Sequence, residues 1–307
     1  MGWPAKIFLR QKPADAVTIF FLLVLLTLTF IFYRSIPKAP LLIGTYSSLL
    51  VIQAALASVK HGGWSVIVLH RIVFPVICVL IVFDSLGNLV HYINPVDIDP
   101  ILIRIDYMIC GNHPTVLLER ITNPALTDLL QIAYTSYYFI PISFGVLLFK
   151  KNRHREFDRS VFLILLCFYL SYLGYMLFPA LGPRFSLAGV QTMELRGLLL
   201  TEPLQRFLNH LEGVKRDAFP SGHTAVTVLV LCLAYRYHKG YFRIAFPVVS
   251  ALVFATVYCR YHYVVDVLAG LALTALTLVL GDRYYTWWEQ RQSVPAPAEI
   301  EARSSRI

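Results

Sequence analysis

Charge is what this chain has least of. Only 15% of its 307 residues are Asp, Glu, Lys or Arg, against 57% hydrophobic residues, too few charges to cover a water-soluble globule of this size. The 27 Lys and Arg outnumber the 18 Asp and Glu, giving a net charge of +9. A nucleic-acid partner would need those cations gathered on one face, and they are scattered through short loops between apolar runs, so membrane orientation explains them and no nucleic-acid partner is expected. Cysteine is scarce too. Cys78, Cys110, Cys167, Cys232 and Cys259 lie in or beside apolar runs with neither paired nor metal-ligand spacing, which leaves core packing as their role. No internal repeat is visible. The first apolar run exceeds the apolar region of a signal peptide and no small-residue cleavage site follows it, so it is read as a span.

What is there is a series of long apolar runs. A hydrocarbon core about 30 Å thick needs roughly 20 apolar residues per helical span, which predicts spans at about 16–33, 40–58, 72–92, 128–149, 160–178, 221–237, 243–261 and 265–281. The fold class is all-α, a polytopic membrane helical bundle of about eight helices. Pro75 in the third run reads as a kink, because neighbouring helices can satisfy the carbonyl it frees. Assigning loops alternately to two sides puts most Lys and Arg on one of them, including the run KKNRHREFDR at 150–159, so both termini are expected to be cytoplasmic. Residues 1–71 read as a cytoplasmic segment with two accessory spans, 72–281 as the core, and 282–307 as a cytoplasmic, disordered tail. On the other side, Ile98, Ile101, Leu102, Ile105, Met108 and Ile109 recur at helical spacing, which suits an interfacial helix and a buried loop helix equally. Residues 179–222 hold no run long enough to span.

Ionisable groups at a membrane edge are costly, which makes each a site hypothesis. Three clusters qualify: FPALGPRF with Arg184, KRDAFPSGHT with Lys215, Arg216, Ser221 and His223, and ATVYCRYHYVVDV with Arg260, His262 and Asp266. A hairpin of spans between 243 and 281 brings all three to one extracytoplasmic face. His262 and Asp266 stand four apart, so on a helix Asp266 can fix the imidazole tautomer and leave the other nitrogen as a nucleophile. Ser221 and Gly222 open a helix whose N–H groups suit an anion, Arg184 adds a planar guanidinium, and His223 can protonate a leaving oxygen. The combination describes phosphoryl transfer through a phosphohistidine, with no metal and no cofactor. Taken singly, each element has a plainer reading: His223 as an interfacial histidine, PSGH as a helix start, His262 with Asp266 as a tie between helices, and Arg184 as an interfacial anchor.

At these residues the sequence resembles the type 2 phosphatidic acid phosphatase superfamily over about 72–281, with PSGH at 220–223 and the His-x-x-x-Asp spacing of HYVVD at 262–266. The resemblance implies a six-helix core, His262 as nucleophile, Asp266 as its orienter, His223 as general acid, and Arg184, Ser221 and Gly222 as phosphate ligands. Three departures stand out. Thr256 replaces an Arg six before the last His, Leu177 replaces a Lys, and Pro183-Arg184 reverses the Arg-Pro order. TVYCRYHYVVD and FPSGH look closest to the branch containing inositol phosphorylceramide synthases. Arg260, four after Thr256, would share its helix face one turn nearer the site, so Arg260 with Lys215 or Arg216 is expected to restore the missing phosphate contacts; a snorkelling arginine is the equal alternative.

The expected function is cleavage or transfer of a phosphate-containing lipid headgroup, with a lean toward transfer. The partners would be a membrane lipid and, for a transferase, a lipid or small polyol acceptor. A lipid phosphate hydrolase, a non-catalytic phospholipid-binding or transport protein, and a vanadate-binding haloperoxidase are the rivals; the last are soluble, which the apolar spans oppose.

Overall fold

Backbone N–H and C=O groups find no water inside a bilayer, so an apolar run that crosses one must close its hydrogen bonds within itself. The computed structural model, which describes residues 12–59, 63–211 and 216–292, answers with helices throughout; among the described residues there is no strand, only an isolated bridge between Ala180 and Asp217. The elements are α1 (Pro13–Ile31), α2 (Ala39–Ser58), α3 (Trp64–Leu86), α4 (Asp99–Cys110), α5 (Pro124–Thr135), α6 (Ile140–Lys150), α7 (His154–Leu177), α8 (Thr201–Leu211), α9 (Gly222–Tyr237), α10 (Lys239–Tyr258) and α11 (Val264–Gln292). Proline stands in the first turn of α1, α2, α4, α5 and α6, where its missing N–H costs no intrahelical bond.

Each expected span falls on a helix. By length and composition, α1, α2, α3, α7, α10 and α11 can cross a membrane, and α5 with α6 would make a seventh despite a 50° bend. The 16-residue α9 is shorter, about 24 Å at 1.5 Å per residue. The bend interrupts the single span expected at 128–149: Pro141 has no N–H for the carbonyl one turn back, and α5 ends in a 3-10 turn at Ser136–Tyr138. In α3 the irregularity is a π turn at Leu69–Val73, directly before Pro75. Helix α11 runs on through 282–292, which the sequence assigned to the tail, and Arg159 and Arg236 both pair with Asp282 there. The rest of that expected tail, 293–307, lies outside the described residues.

Helix α7 is the axis of the bundle. One face packs against α1 and α3 through Tyr169 and Tyr172, and the other packs against α6, α9 and α11 through Phe157, Leu163 and Cys167. Helix α11 lies close on α9: a side chain at Gly270 would come within 2.6 Å of the Ser221 carbonyl, so only glycine permits that approach.

At the end of the bundle where α7 stops and α9 begins, four carboxylates tie the connecting segments down. Asp99 accepts from Leu181 N, Gly182 N, Ser186 Oγ and Tyr263 OH. Asp106 accepts from Val264 N and Val265 N and so caps α11. Glu119 accepts from Thr192 N and Oγ1, and Asp128 takes four backbone N–H groups from Leu198 to Thr201 at the start of α8. Helix α4 buries Asp99, Leu102 and Asp106 against the protein and leaves Ile101, Met108 and Ile109 exposed, the arrangement of a helix lying in the membrane interface.

Candidate active site

Arg184, His223 and His262, drawn from three separate stretches of sequence, line one cavity of about 260 Å³ together with Tyr134, Asn209, Asp217 and Tyr261. The two imidazole centroids are 5.6 Å apart. His223 is the second residue of α9, and its ring is flanked by Tyr134 and Tyr137, at 4.3 Å and 4.1 Å, which the α5–α6 bend turns toward it. Ser221 starts α9 by accepting from Thr224 N at 3.2 Å.

His262 lies outside any helix, two residues before α11. Its Nδ1 is 2.8 Å from the Ala218 carbonyl and 3.5 Å from Asp266 Oδ2. A carbonyl can only accept, so Nδ1 carries the proton, and in the neutral imidazole Nε2 keeps the lone pair. The sequence assigned that orienting role to Asp266. Here the Ala218 carbonyl is the nearer partner, and Asp266 Oδ2 also accepts from Tyr263 N at 2.7 Å. Asp266 is fully buried beside the imidazole, and its backbone carbonyl takes Ser221 N at 3.0 Å, which locks the starts of α9 and α11 together.

Arg184 follows Gly182, whose φ of 90° belongs to glycine and whose added side chain would meet the Tyr261 carbonyl at 2.7 Å. Arg184 N donates to the Arg260 carbonyl at 2.9 Å, and its guanidinium donates to Asn209 Oδ1 at 2.9 Å from the cavity wall.

Several expected phosphate ligands stand elsewhere. Ser221 is fully buried, its hydroxyl committed to Thr224, and neither it nor Gly222 lines the cavity. A side chain at Gly222 would collide with the Tyr175 hydroxyl, so the glycine serves packing against α7. Arg260 is turned away: it is buried and donates to Glu119 Oε1 at 2.8 Å and to the Met193 carbonyl at 2.7 Å. Burial pushes Glu119 up, but hydrogen bonds from Thr192 and Met193 and the charge of Arg260 outweigh it and hold its pKa below the ordinary value. Arg216 clamps the 91–97 segment through Asp97 at 2.7 Å and the Pro95 carbonyl at 2.8 Å. Lys215 lies outside the described residues.

Sequence reasoning missed Asp217. It lines the cavity, and its carboxylate makes no bond to another side chain among the described residues, whereas Asp97, Asp99, Asp106, Glu119 and Asp128 are all engaged. Burial pushes it up to about 6. Its signal was an acid three residues before the PSGH motif. Tyr134 and Tyr137, three apart on one helix face, were the corresponding signal for the walls around His223.

The family model described as PAP2 superfamily matches residues 101–280. A PA-phosphatase related-family protein of Dictyostelium discoideum is 24% identical over 178 residues, which is 52% of this chain and 32% of that protein. The chain thus spans about a third of that relative's length. No solved structure matches.

Proposed function

The chain belongs to the PAP2 superfamily, and from that membership we propose an integral membrane enzyme of lipid phosphatase type whose first step transfers a lipid's phosphoryl group to His262. The observation that carries the reading is the His262 tautomer: Nδ1–H donated to the Ala218 carbonyl leaves the Nε2 lone pair on an imidazole that lines the same cavity as His223 and Arg184.

In this mechanism Nε2 attacks phosphorus, the P–O bond to the leaving group breaks, and protonated His223 gives its proton to the departing oxygen. The P–N bond leaves a positive imidazolium, which the Asp266 carboxylate 3.5 Å away offsets. Arg184 holds the phosphoryl oxygens. An acceptor O–H then attacks phosphorus, its proton passes to His223, and the P–N bond breaks. Nucleophile, acid and anion clamp all come from side chains, so the reading needs no metal. The acceptor distinguishes two outcomes. Water suits the phosphatase-related family of the Dictyostelium protein, and a lipid or polyol hydroxyl suits the motif departures at Thr256 and Leu177. The site would face the extracytoplasmic side, with both termini cytoplasmic, a reading that the Lys and Arg distribution supports.

Purified protein incubated with labelled phosphatidic acid, prenyl diphosphates and phospholipids, with EDTA and with candidate acceptors, separates these outcomes. Free phosphate identifies a hydrolase and a new phospholipid a transferase. An acid-labile, base-stable phosphoenzyme should form on the wild type and be absent from His262→Ala. Undiminished turnover by His262→Ala ends the proposal, and phospholipid binding without turnover in either protein indicates a binding or transport role.

A further inference from the structure

A second cavity adjoins the first. Asp217 and His223 line both, so an apolar groove of about 190 Å³ between α3, α6 and α7 abuts the polar cavity at these two residues. The groove follows α7 from Tyr175 at the site end to Phe157 at the far end, about 27 Å at 1.5 Å rise per residue. That is close to the full hydrocarbon core of about 30 Å, nearly twice one leaflet. Its far end carries Arg71, whose guanidinium lies 5.0 Å over the Phe157 ring and pairs with Asp158. Leu80 on α3 and Ile142 on α6 line the groove and are themselves exposed, so it is open sideways toward the membrane.

We propose that this groove holds one hydrocarbon chain of the substrate whose phosphate occupies the polar cavity, and that it selects lipids with a chain longer than one leaflet. The inference rests on the reading of the polar cavity as a phosphate site and names the substrate class for it. Adjacency at Asp217 and His223 identifies the occupant: a chain attached to a phosphate beside His223 has its first carbons next to the groove. Width decides the number of chains. A volume of about 190 Å³ spread over about 27 Å leaves no room for two chains side by side, so a second chain lies outside among the membrane lipids. Depth decides the length, because a chain of one leaflet's reach leaves the Arg71 end unfilled, and unfilled apolar space forfeits packing contacts.

The test is a single-chain lipid phosphate carrying a photoreactive diazirine at its chain end, made in a short version of one leaflet's reach and a long version of the groove's depth, and used on both the wild type and His262→Ala. The long probe should label residues near Phe157, Gly145 and Arg71, and the short one residues near Leu165, halfway along. Labelling confined to membrane-facing positions outside the groove would mean an ordinary annular lipid and would overturn the proposal, whether or not the protein turns over. Kinetics give the second readout. Gly145→Leu and, on the opposite wall, Val76→Phe should lower kcat/KM for the long-chain phosphate by about tenfold while changing the short, water-soluble phosphate by less than about twofold. Equal loss on both, or no loss in either well-folded variant, also overturns it. Failure of phosphate release from every substrate, with the long probe still at Phe157, would sink the catalytic reading and leave the groove standing.

Discussion

Replacing Asp99 by asparagine tests whether the site is held by its carboxylates. Asp99 is 4% exposed and accepts four hydrogen bonds, from Leu181 N at 2.8 Å, Gly182 N at 2.9 Å, Ser186 Oγ at 2.8 Å and Tyr263 OH at 2.7 Å. These bonds fasten the turn that carries Arg184 to the residue that follows His262. An asparagine keeps the shape but presents an NH2 where one oxygen stood. If it replaces Oδ2, the Leu181 N–H faces a donor; if it replaces Oδ1, the Gly182 N–H does. Either way one buried backbone donor is left without an acceptor, at about 1–3 kcal/mol, and the surviving bonds lose the strengthening that ionic charge gives them. The expected loss is about 3 kcal/mol for Asp99→Asn and about 4–5 kcal/mol for Asp99→Ala, against about 1 kcal/mol for Ser186→Ala, which removes one bond. Because the turn that loosens carries Arg184, KM should rise by about tenfold with kcat little changed, the signature of lost ground-state binding. Thermal unfolding in detergent and steady-state kinetics on the three variants measure both effects. An Asp99→Asn protein that unfolds with the wild type and keeps its KM would refute the reasoning.

Arg260→Ala should lower stability by about 3–5 kcal/mol, by leaving Glu119 buried without its cation, while phosphate-analogue inhibition stays as in the wild type; weaker inhibition at unchanged stability would return Arg260 to the site. Arg184→Lys should lose about tenfold in kcat/KM and Arg184→Ala about a hundredfold, since lysine keeps the charge and loses the fork; equal losses would show that charge alone matters. Asp217 gives a pH test. Its carboxyl is raised from 3.8 to about 6, so the folded state binds that proton more tightly than the unfolded chain, and the wild type loses stability as pH rises across that window. Asp217→Asn escapes the loss: it should be the more stable protein above about pH 6, with the gap closing toward about pH 4, and a gap independent of pH would remove burial as the cause.

The bundle was legible because lipid forces long apolar runs into helices, and the meeting of Arg184, His223 and His262 was legible because topology alone puts them at one end. The ties that shape the site were not. Asp99 and Asp106 stand seven apart on an apolar helix, a spacing that marks a common face, but their partners at 181–186 and 263–265 are far away in sequence. The only local sign was cost: acids beside membrane runs persist where something accepts their charge, and here backbone N–H groups do. Ser221 shows the converse. A serine before a glycine at a helix start serves as a cap and as an anion ligand with the same chemistry, and only the Thr224 contact separates the two.

Arg260 shows how one backbone angle redirects a charge. Counting four residues from Thr256 puts Arg260 on the same helical face only if the helix continues, and α10 stops at Tyr258. Arg260 takes φ 66°, and both Tyr261 N and His262 N return to the Thr256 carbonyl, closing the helix end. The side chain is then carried toward Glu119, while the two residues after it turn back into the cavity. The same left-handed step therefore removes a cation from the pocket and delivers the imidazole to it. Among the described residues that leaves Arg184 as the cation lining the cavity, so the proposed phosphate would be gripped more by the geometry of the Arg184 turn than by summed charge. A site that depends on the placement of one guanidinium needs that placement fixed, and the four hydrogen bonds to Asp99 are what fix it.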